Sequence, residues 1–196
     1  MFTGIIESLG TVTAMEKDGS NVHFTFSSSI SNELKIDQSV AHNGVCLTVV
    51  AIGDGTHTVT AIDETMQKSC LADLHVNAVI NLERCMPANG RFDGHIVQGH
   101  VDQVGDVKSI EEKDGSWVFT ISHSKGENFT VNKGSICVNG VSLTCFDSTE
   151  TEFSVAIIPY TYEHTCFHRL QVGHPVNLEF DIVGKYVARM LEKRGV

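Results

Sequence analysis

The stretch Asn43-Gly44-Val45-Cys46-Leu47-Thr48 occurs a second time, 96 residues later, as Asn139-Gly140-Val141-Ser142-Leu143-Thr144. Only one position differs, where Cys46 is exchanged for Ser142, so one nucleophilic side chain replaces another. Asn-Gly is typical of a tight turn because both residues tolerate positive φ. The Val-x-Leu-Thr that follows alternates like a strand. Each copy, called the first and the second motif below, therefore predicts a turn that enters a strand.

The duplication extends well beyond the two motifs. Asn81-Leu82-Glu83 recurs as Asn177-Leu178-Glu179 at the same spacing, whereas Gly4 aligns with Gly99 at a spacing shorter by one residue. We expect the extra residue to lie within 110–112, just before a repeated Lys-Asp-Gly-Ser turn. A repeat of this length exceeds the roughly 20–50 residues of a solenoid unit and indicates a duplicated domain.

The pattern between these landmarks is typical of a small antiparallel β structure. Short runs of alternating apolar and polar residues are interrupted by turn residues about every ten positions. A short helix is expected at 65–74, and few other segments have helical periodicity. The sequence therefore predicts a mainly β protein made of two small barrels or sandwiches.

Changes in composition set the expected boundaries. We predict an N-terminal domain at residues 1–86, a linker rich in Pro, Asn and Gly at residues 87–93, and a C-terminal domain at residues 94–180. Residues 181–196 follow as a separate, helical segment.

This last segment has apolar residues at helical spacing. It predicts an amphipathic helix with Asp181 as its N-cap and with Lys185, Arg189 and Lys193 pointing away from the apolar stripe. The stripe requires a partner surface, either on the protein's own barrel or on another subunit.

Charge and composition narrow the function classes. The net charge of -10 argues against a nucleic-acid partner, which normally needs clustered Lys and Arg. No run approaches the ~20 apolar residues that span a bilayer. The N-terminal residues do not resemble a signal peptide. With six cysteines and no C-x-x-C pair, we expect reduced thiols in a cytoplasmic protein.

Several polar residues are candidates for chemistry, each with a structural alternative. Cys46 is either a reactive thiol at a barrel mouth or a buried structural thiol, and Ser142 is either its counterpart or a hydroxyl that satisfies a turn. His95 and His100 lack the spacing and partners of a metal site but could act as general acids or bases, or be satisfied by backbone. No nucleotide-binding motif is present, so no cofactor and no metal are expected.

The residues after two equivalent strands are also polar, at 63–65 and 160–163. They could hydrogen-bond a heterocycle. Equally, they could form helix N-termini capped by Thr65 and Thr161.

Taken together, these segments resemble the riboflavin synthase family over nearly the whole chain. The resemblance lies in the opening Met1-Phe2-Thr3-Gly4-Ile5-Ile6-Glu7, the approach Ser39-Val40-Ala41-His42 to the first motif, Gly94-His95 with Gly99-His100, and the second motif. It implies two six-stranded Greek-key barrels that each bind one 6,7-dimethyl-8-ribityllumazine. A four-carbon unit passes between the two lumazines, giving riboflavin and 5-amino-6-ribitylamino-uracil without a cofactor or metal.

The resemblance also implies an assembly. The C-terminal helices would build a homotrimer, with each active site between the first barrel of one subunit and the second barrel of its neighbour. Lumazine synthase would be a further partner.

Residue roles are carried over from the same resemblance. It assigns catalysis to Phe2, Ser39, Cys46, His100, Ser142 and Asn139. Many family members have Asp where this chain has Asn139, and an amide cannot accept a proton as a carboxylate does. The first barrel's site would be lined by Gly4, Ile5, Ile6, Cys46, Leu47, Thr48, Thr60, Ala61, Ile62, Asp63, Glu64 and Thr65. The second would be lined by Gly99, His100, Val101, Lys133, Ser142, Leu143, Thr144, Ile158, Pro159, Tyr160, Thr161, Tyr162 and Glu163.

Two alternatives remain open at this point. One is a non-catalytic lumazine- or flavin-binding antenna protein of the same fold, which would typically have lost residues from one barrel. The other is a structural or adaptor protein made of paired barrels, which would not need the Cys, Ser and His pattern.

Overall fold

The chain folds into two closed antiparallel barrels of six strands each, followed by a helix. The structure, a computed structural model, describes residues 1–126 and 128–194. The strands of the first barrel have the spatial order β1-β2-β5-β4-β3-β6, and β6 closes onto β1. They are β1 (Ser8–Asp18), β2 (Asn21–Ser27), β3 (Ser39–His42), β4 (Val45–Gly53), β5 (Thr56–Ala61) and β6 (Val79–Arg84).

The second barrel repeats this order as β7-β8-β11-β10-β9-β12. The prediction of a mainly β protein with two similar six-stranded barrels and a C-terminal helix is therefore confirmed. The strands are β7 (Gln103–Lys113), β8 (Ser116–Ser122), β9 (Ser135–Val138), β10 (Val141–Phe146), β11 (Glu152–Ile157) and β12 (Pro175–Phe180).

The helical segments between β5 and β6 and between β11 and β12 are equivalent. They are α1 (Asp63–Lys68) and α2 (Pro159–His164), each followed by a 3-10 turn, Cys70–Asp73 or Cys166–Arg169. The helix predicted at 65–74 thus begins two residues earlier and is broken near its middle.

Thr65 and Thr161 do not cap these helices, because both lie at the third helical position. The caps belong to the 3-10 turns instead. The Ser69 hydroxyl accepts from the Leu71 N–H at 3.4 Å, and the Thr165 hydroxyl accepts from the Phe167 N–H at 3.3 Å.

The one-residue slip in the repeat lies elsewhere than predicted. Asp18 pairs with Asn21 in the β1–β2 hairpin, and Lys113 pairs with Ser116 in the β7–β8 hairpin, so the shorter spacing persists through both hairpins. The extra residue falls in 123–134, between β8 and β9. The repeated Lys-Asp-Gly-Ser was misleading because a glycine with positive φ fits either turn position.

A chain of hydrogen bonds runs through the core of the first barrel. His42 and His57 are fully buried, and their Nε2 atoms lie 3.0 Å apart. The Nδ1 of His42 faces the Val40 carbonyl oxygen at 3.0 Å, and the Nδ1 of His57 faces the Ser31 hydroxyl at 2.9 Å. A carbonyl can only accept, so neutral His42 carries its proton on Nδ1 and accepts from His57 Nε2–H. Burial lowers the pKa of His42 to about 3 and that of His57 to about 4.

The barrels meet at the Asn-Gly turns of the two motifs. Gly44 and Gly140 have φ of 80° and 83°, and a Cβ on either would lie 2.8 Å from the backbone nitrogen of the other. Two asparagines reach across this interface. Asn81 Nδ2 donates to the carbonyl oxygen of residue 139 at 2.8 Å. Asn177 Nδ2 donates to the carbonyl oxygen of residue 43 at 2.9 Å, so the contact has approximate two-fold symmetry.

The C-terminal helix α3 (Ile182–Arg194) begins as predicted, because the Asp181 carboxylate accepts from the Val183 N–H at 3.0 Å. Lys185 does not point away from the barrel. Its Nζ lies 2.6 Å from the Asp102 carboxylate, and only 22% of its side chain is exposed. The apolar stripe is left uncovered by the chain's own barrels: Val183, Tyr186, Val187, Met190 and Leu191 are all exposed. Residues 195 and 196 of the predicted segment lie outside the described residues.

Among the described residues, no helix combines the length and apolar character needed to cross a membrane.

Candidate active site

Two short segments cross between the barrels next to the motifs. They are residues 2–6 and residues 97–101, and they are called the first and the second arm below. Phe2 and Val97 are equivalent in the repeat and pair with each other as an isolated antiparallel bridge. Phe2 N donates to the Val97 oxygen at 2.7 Å, and Val97 N donates to the Phe2 oxygen at 3.1 Å. Phe2 is fully buried there and lies in a small apolar cluster with Val97 and Cys46.

Each arm lies on the motif of the other barrel. The Cys46 N–H donates to the Gly99 oxygen, and the Ser142 N–H donates to the Gly4 oxygen, both at 2.8 Å. Ile6 packs on the core of the second barrel and Val101 on the core of the first. The predicted division of the arms between the two sites is therefore reversed, since Gly4 to Ile6 accompany Ser142, and Gly99 to Val101 accompany Cys46.

A buried glutamate holds each arm. Glu83 accepts from the N–H groups of Thr3 and Gly4 at 2.7 and 3.0 Å. Glu179 accepts from the N–H groups of residues 98, 99 and 100 at 2.6, 2.9 and 2.8 Å. Burial raises the pKa of both carboxyls, and these hydrogen bonds oppose it. Neither residue was predicted as part of a site, although the repeated Asn-Leu-Glu was a usable signal.

The first motif opens into a cavity of about 290 Å³. It brings together predicted residues from three places: Cys46 at the start of β4, the residues at the start of α1, and the arm that carries His100. Val45, Lys68 and Ser69 were not predicted. The lining residues are Val45, Cys46, Glu64, Thr65, Lys68, Ser69, Gly99, His100 and Val101.

Cys46 is half-buried at the wall of this cavity. Burial raises the pKa of its thiol, and a hydrogen bond from the Ser39 hydroxyl works in the opposite direction. At neutral pH the group is therefore a thiol within reach of Ser39 rather than a free thiolate.

Ser142 of the second motif is paired with an imidazole. Its Oγ lies 2.6 Å from Nδ1 of His95, which is half-buried. Burial lowers the pKa of His95, and the Asp181 carboxylate opposes this. The residue type makes His95 a candidate acid or base, but the family resemblance assigns it no role.

The mouth of the second barrel carries aromatic side chains. Tyr162 stacks on Trp117 with ring centroids 3.8 Å apart and planes inclined by 6°. Ile158 and Tyr160 at the start of α2 are exposed, like Ile62 at the start of α1. Pro159, Thr161 and Glu163 lie on the same short helix α2.

Other predicted lining residues are placed less uniformly. Leu47 and Ala61 are buried in the core of the first barrel, whereas Thr48 and Thr144 are exposed. Leu143 packs against the core of the second barrel. Thr60 Oγ1 and His23 Nδ1 form a hydrogen bond of 2.8 Å, and the Asp63 carboxylate accepts from the side-chain amide of Gln67. Lys133 is exposed and has a positive φ of 69°.

Asn139 lies at the barrel interface rather than beside Cys46 and His100. Only 3% of it is exposed, and its Oδ1 accepts from the Asn177 N–H at 2.8 Å. Its Nδ2 faces Cys166 Sγ at 3.9 Å. Both ends of the amide are thus engaged in holding the second motif.

Comparison with known proteins identifies the family of both halves of the chain. The family model described as "Lumazine binding domain" matches twice, at residues 3–85 and 98–181. The fold and the paired motifs thus define a protein with two lumazine-binding domains.

Curated relatives narrow the class. "Riboflavin synthase" of Bacillus subtilis is 42% identical over 195 residues, covering 98% of this chain and 91% of the relative. "Riboflavin synthase" of Mycobacterium bovis is 38% identical over 201 residues, covering 100% of both chains. The chain belongs to the riboflavin synthase family.

Solved structures share the fold. A crystal structure of LumP complexed with riboflavin superposes with a TM-score of 0.84 at 24% identity, covering 92% of this chain and 99% of that chain. A LumP structure with 6,7-dimethyl-8-(1'-D-ribityl) lumazine gives a TM-score of 0.83 at 22% identity, with 91% and 98% covered.

Proposed function

We propose that the protein is a riboflavin synthase, a transferase that converts two molecules of 6,7-dimethyl-8-ribityllumazine into riboflavin and 5-amino-6-ribitylamino-uracil. The observation that carries the proposal is the pair of equivalent motifs, each with a thiol or hydroxyl under the other barrel's arm. A reaction between two copies of one molecule suits a duplicated binding site.

The site residues fit the chemistry of this reaction. One lumazine must lose a methyl proton and the other must accept a nucleophile, and thiol, hydroxyl and imidazole groups serve these steps. Cys46, His100, Ser39 and Phe2 act on the first-barrel side, and Ser142 on the second. Binding both lumazines in one site supplies the entropic advantage of proximity.

The assembly belongs to the same proposal. The exposed apolar side chains of α3 support a homotrimer in which the helices cover one another, because a patch of this kind marks an interaction surface. The active site then lies between the first barrel of one subunit and the second barrel of the next. We propose the same domain division as before, at residues 1–86, 87–93, 94–180 and 181–196. The arm of each domain lies on the motif of the other. We place the protein in the cytoplasm, with lumazine synthase as a further partner.

Incubation of the purified protein with the lumazine tests the activity. We expect two lumazines consumed for each riboflavin formed, with no metal or nicotinamide added, measured by chromatography of substrate and products. A different ratio, or activity that appears only with an added cofactor, would contradict the proposal. Tight binding without turnover would instead identify an antenna protein of the same fold.

A further inference from the structure

We propose that Trp117 is a positioning residue of the second barrel, whose ring stacks on Tyr162 and holds helix α2 in place for the lumazine before the lumazine binds. The inference rests on the proposed function and deepens it, because it makes the second site pre-formed and the first site adjustable. Trp117 is not among the residues to which the family resemblance assigns a role.

The two aromatic rings fasten the short helix to a strand. Trp117 lies on β8 and pairs with Ile157, the last residue of β11. Helix α2 begins two residues after Ile157, and Tyr162 is its fourth residue. The ring centroids of Trp117 and Tyr162 lie 3.8 Å apart, and their planes are inclined by 6°. Both side chains also pack against the core of the second barrel, so the stack joins α2 to β8 and to the core.

The start of α2 presents side chains to the mouth of the barrel. Ile158 is 58% exposed and Tyr160 is 69% exposed, whereas Tyr162 is half-buried. The helix has six residues, and isolated helices shorter than about 12 residues are marginal in water. Its position therefore depends on the side chains that hold it against the barrel, and the stacked rings are the largest of these.

The first barrel has aliphatic side chains at both equivalent positions. Val22 pairs with Ala61 as Trp117 pairs with Ile157, and Met66 is the fourth residue of α1. Val22 and Met66 pack against the core of their barrel. A thioether chain with three rotatable bonds adapts to its surroundings, whereas stacked rings have a specific geometry. Helix α1 can therefore shift with its ligand more easily than α2.

Polar pairs on the surface give α1 little further support. Lys68 Nζ lies 2.7 Å from Glu64 Oε1, and Gln67 Nε2 donates to the Asp63 carboxylate at 2.6 Å. Both pairs are exposed to solvent, and exposed pairs of this kind contribute little to stability. Helix α1 also supplies part of the wall of the cavity at the first motif, so its movement would change the shape of that site.

The difference between the two helices has a consequence for binding. A segment that is already in its bound position loses less conformational entropy when the ligand arrives, so the affinity is higher. An aromatic pair contributes enough to change a dissociation constant by about 3- to 10-fold. Loss of the stack should therefore weaken the ligand at the second barrel while leaving the reacting groups in place.

The variants Trp117→Val and Trp117→Phe test the stack. Val is the residue of the first barrel, and Phe keeps a ring that can stack on Tyr162. The probe is 8-ribityllumazine, which lacks the two methyl groups and so cannot lose a methyl proton. Calorimetric titration should show two molecules bound per chain. In Trp117→Val we expect one of the two sites to weaken about 3- to 10-fold and the other to stay within about 2-fold. Trp117→Phe should restore most of the loss.

Steady-state kinetics with the natural lumazine separate positioning from chemistry. We expect Trp117→Val to raise KM about 3- to 10-fold with kcat within about 2-fold, because the stack supports binding and not the reacting groups. The site that keeps its affinity serves as an internal control, since it shows that the variant chain is folded.

A graft of the two rings onto the first barrel gives the reciprocal test. In Val22→Trp/Met66→Tyr the affinity should rise about 3-fold or more at the site that Trp117→Val leaves unchanged. A gain of this kind is not expected from rings that merely stabilise a barrel.

Several results would overturn the inference. They are unchanged affinities in Trp117→Val, an equal loss at both sites, a fall in kcat at constant KM, or a Trp117→Phe variant as weak as Trp117→Val. A graft that strengthens the same site that Trp117→Val weakens would also contradict it. A wild-type protein that binds the natural lumazine without converting it would refute the proposed function instead, and the titrations would still decide the role of the stack.

Discussion

At the scale of single residues, the two motifs differ by one sulfur atom in place of one oxygen. Cys46 and Ser142 have the same backbone environment, because each N–H donates at 2.8 Å to the carbonyl oxygen of an arm glycine. Their side chains meet different neighbours, Ser39 in one case and His95 in the other. The two motifs therefore have equivalent backbone contacts, and they differ in the groups that their Cys46 and Ser142 side chains meet.

Replacing Cys46 by Ser tests the thiol. We expect single-turnover rates to drop about 10-fold or more, because the hydroxyl is a poorer nucleophile, with lumazine affinity almost unchanged. Rapid-quench kinetics and a fluorescence titration of the same preparation measure both quantities. Cys70→Ser, at a buried cysteine that does not line the cavity, is the control. A wild-type rate in Cys46→Ser would return this cysteine to a structural role.

Asn139 offers a second test at this scale. We expect Asn139→Asp to lower the free energy of unfolding by about 1–3 kcal/mol, because it places a carboxylate where the amide now faces a thiol in a desolvated interface. Turnover per folded molecule should stay the same. Urea denaturation and the activity assay measure the two effects, and Asn43→Asp in the first motif is the matched control. A clear gain in turnover would show that residue 139 acts as a proton acceptor.

At the scale of elements, the two barrels differ in the interior of their equivalent strands, at β3 and β5 of the first barrel. His42 and His57 of the first barrel correspond to Val138 and Phe153 of the second. The folded first barrel keeps both rings neutral, and the unfolded chain protonates them near pH 6.5. Between pH 6.5 and about 4 the unfolded state binds more protons, so stability falls as the pH falls.

The double variant His42→Val/His57→Phe should abolish that acid sensitivity. Two rings contribute at most about 1.4 kcal/mol each per pH unit, so the wild type should lose up to roughly 4 kcal/mol between pH 6.5 and 5. Urea denaturation at both pH values measures the difference. The raised pKa of Glu83 and Glu179 makes stability rise as the pH falls. Both residues are present in both proteins, so their effect cancels in the comparison. Equal slopes in the two proteins would refute the assignment.

The sequence predicts elements that are set by neighbouring residues, but it does not predict contacts between distant segments. Short alternating strands such as β2 (Asn21–Ser27) can be predicted, because alternation and the flanking turn are local signals. The arms could not be assigned to a barrel in the same way. Each forms only an isolated bridge and is held by backbone N–H groups and a buried glutamate, and these partners are the same in both copies. The pairing of His95 with Ser142 depends on that crossing, so it too was out of reach.

At the scale of the whole molecule, a shared active site predicts complementation between inactive subunits. In the proposed homotrimer, Cys46→Ser would disable the first barrel's part and Ser142→Ala the second's. Unfolding and refolding an equal mixture would then make mixed trimers. About a quarter of the interfaces should then join two intact parts, and activity should rise toward that fraction of wild type. Two equal mixtures that each contain one variant and wild type are the controls. No gain on mixing would place the complete site within a single chain.

The exchanged arms also bear on how such a protein could arise. A half-chain made alone would form its strands but would hold out an arm whose docking site lies on the missing half, and two identical halves could satisfy each other by exchange. The duplicated chain thus has the organisation of a swapped dimer whose halves became fused. The connection keeps each arm at high local concentration beside its site, so association no longer depends on protein abundance. Once joined, the copies were free to diverge, and a thiol in one and a hydroxyl with its imidazole in the other record that divergence.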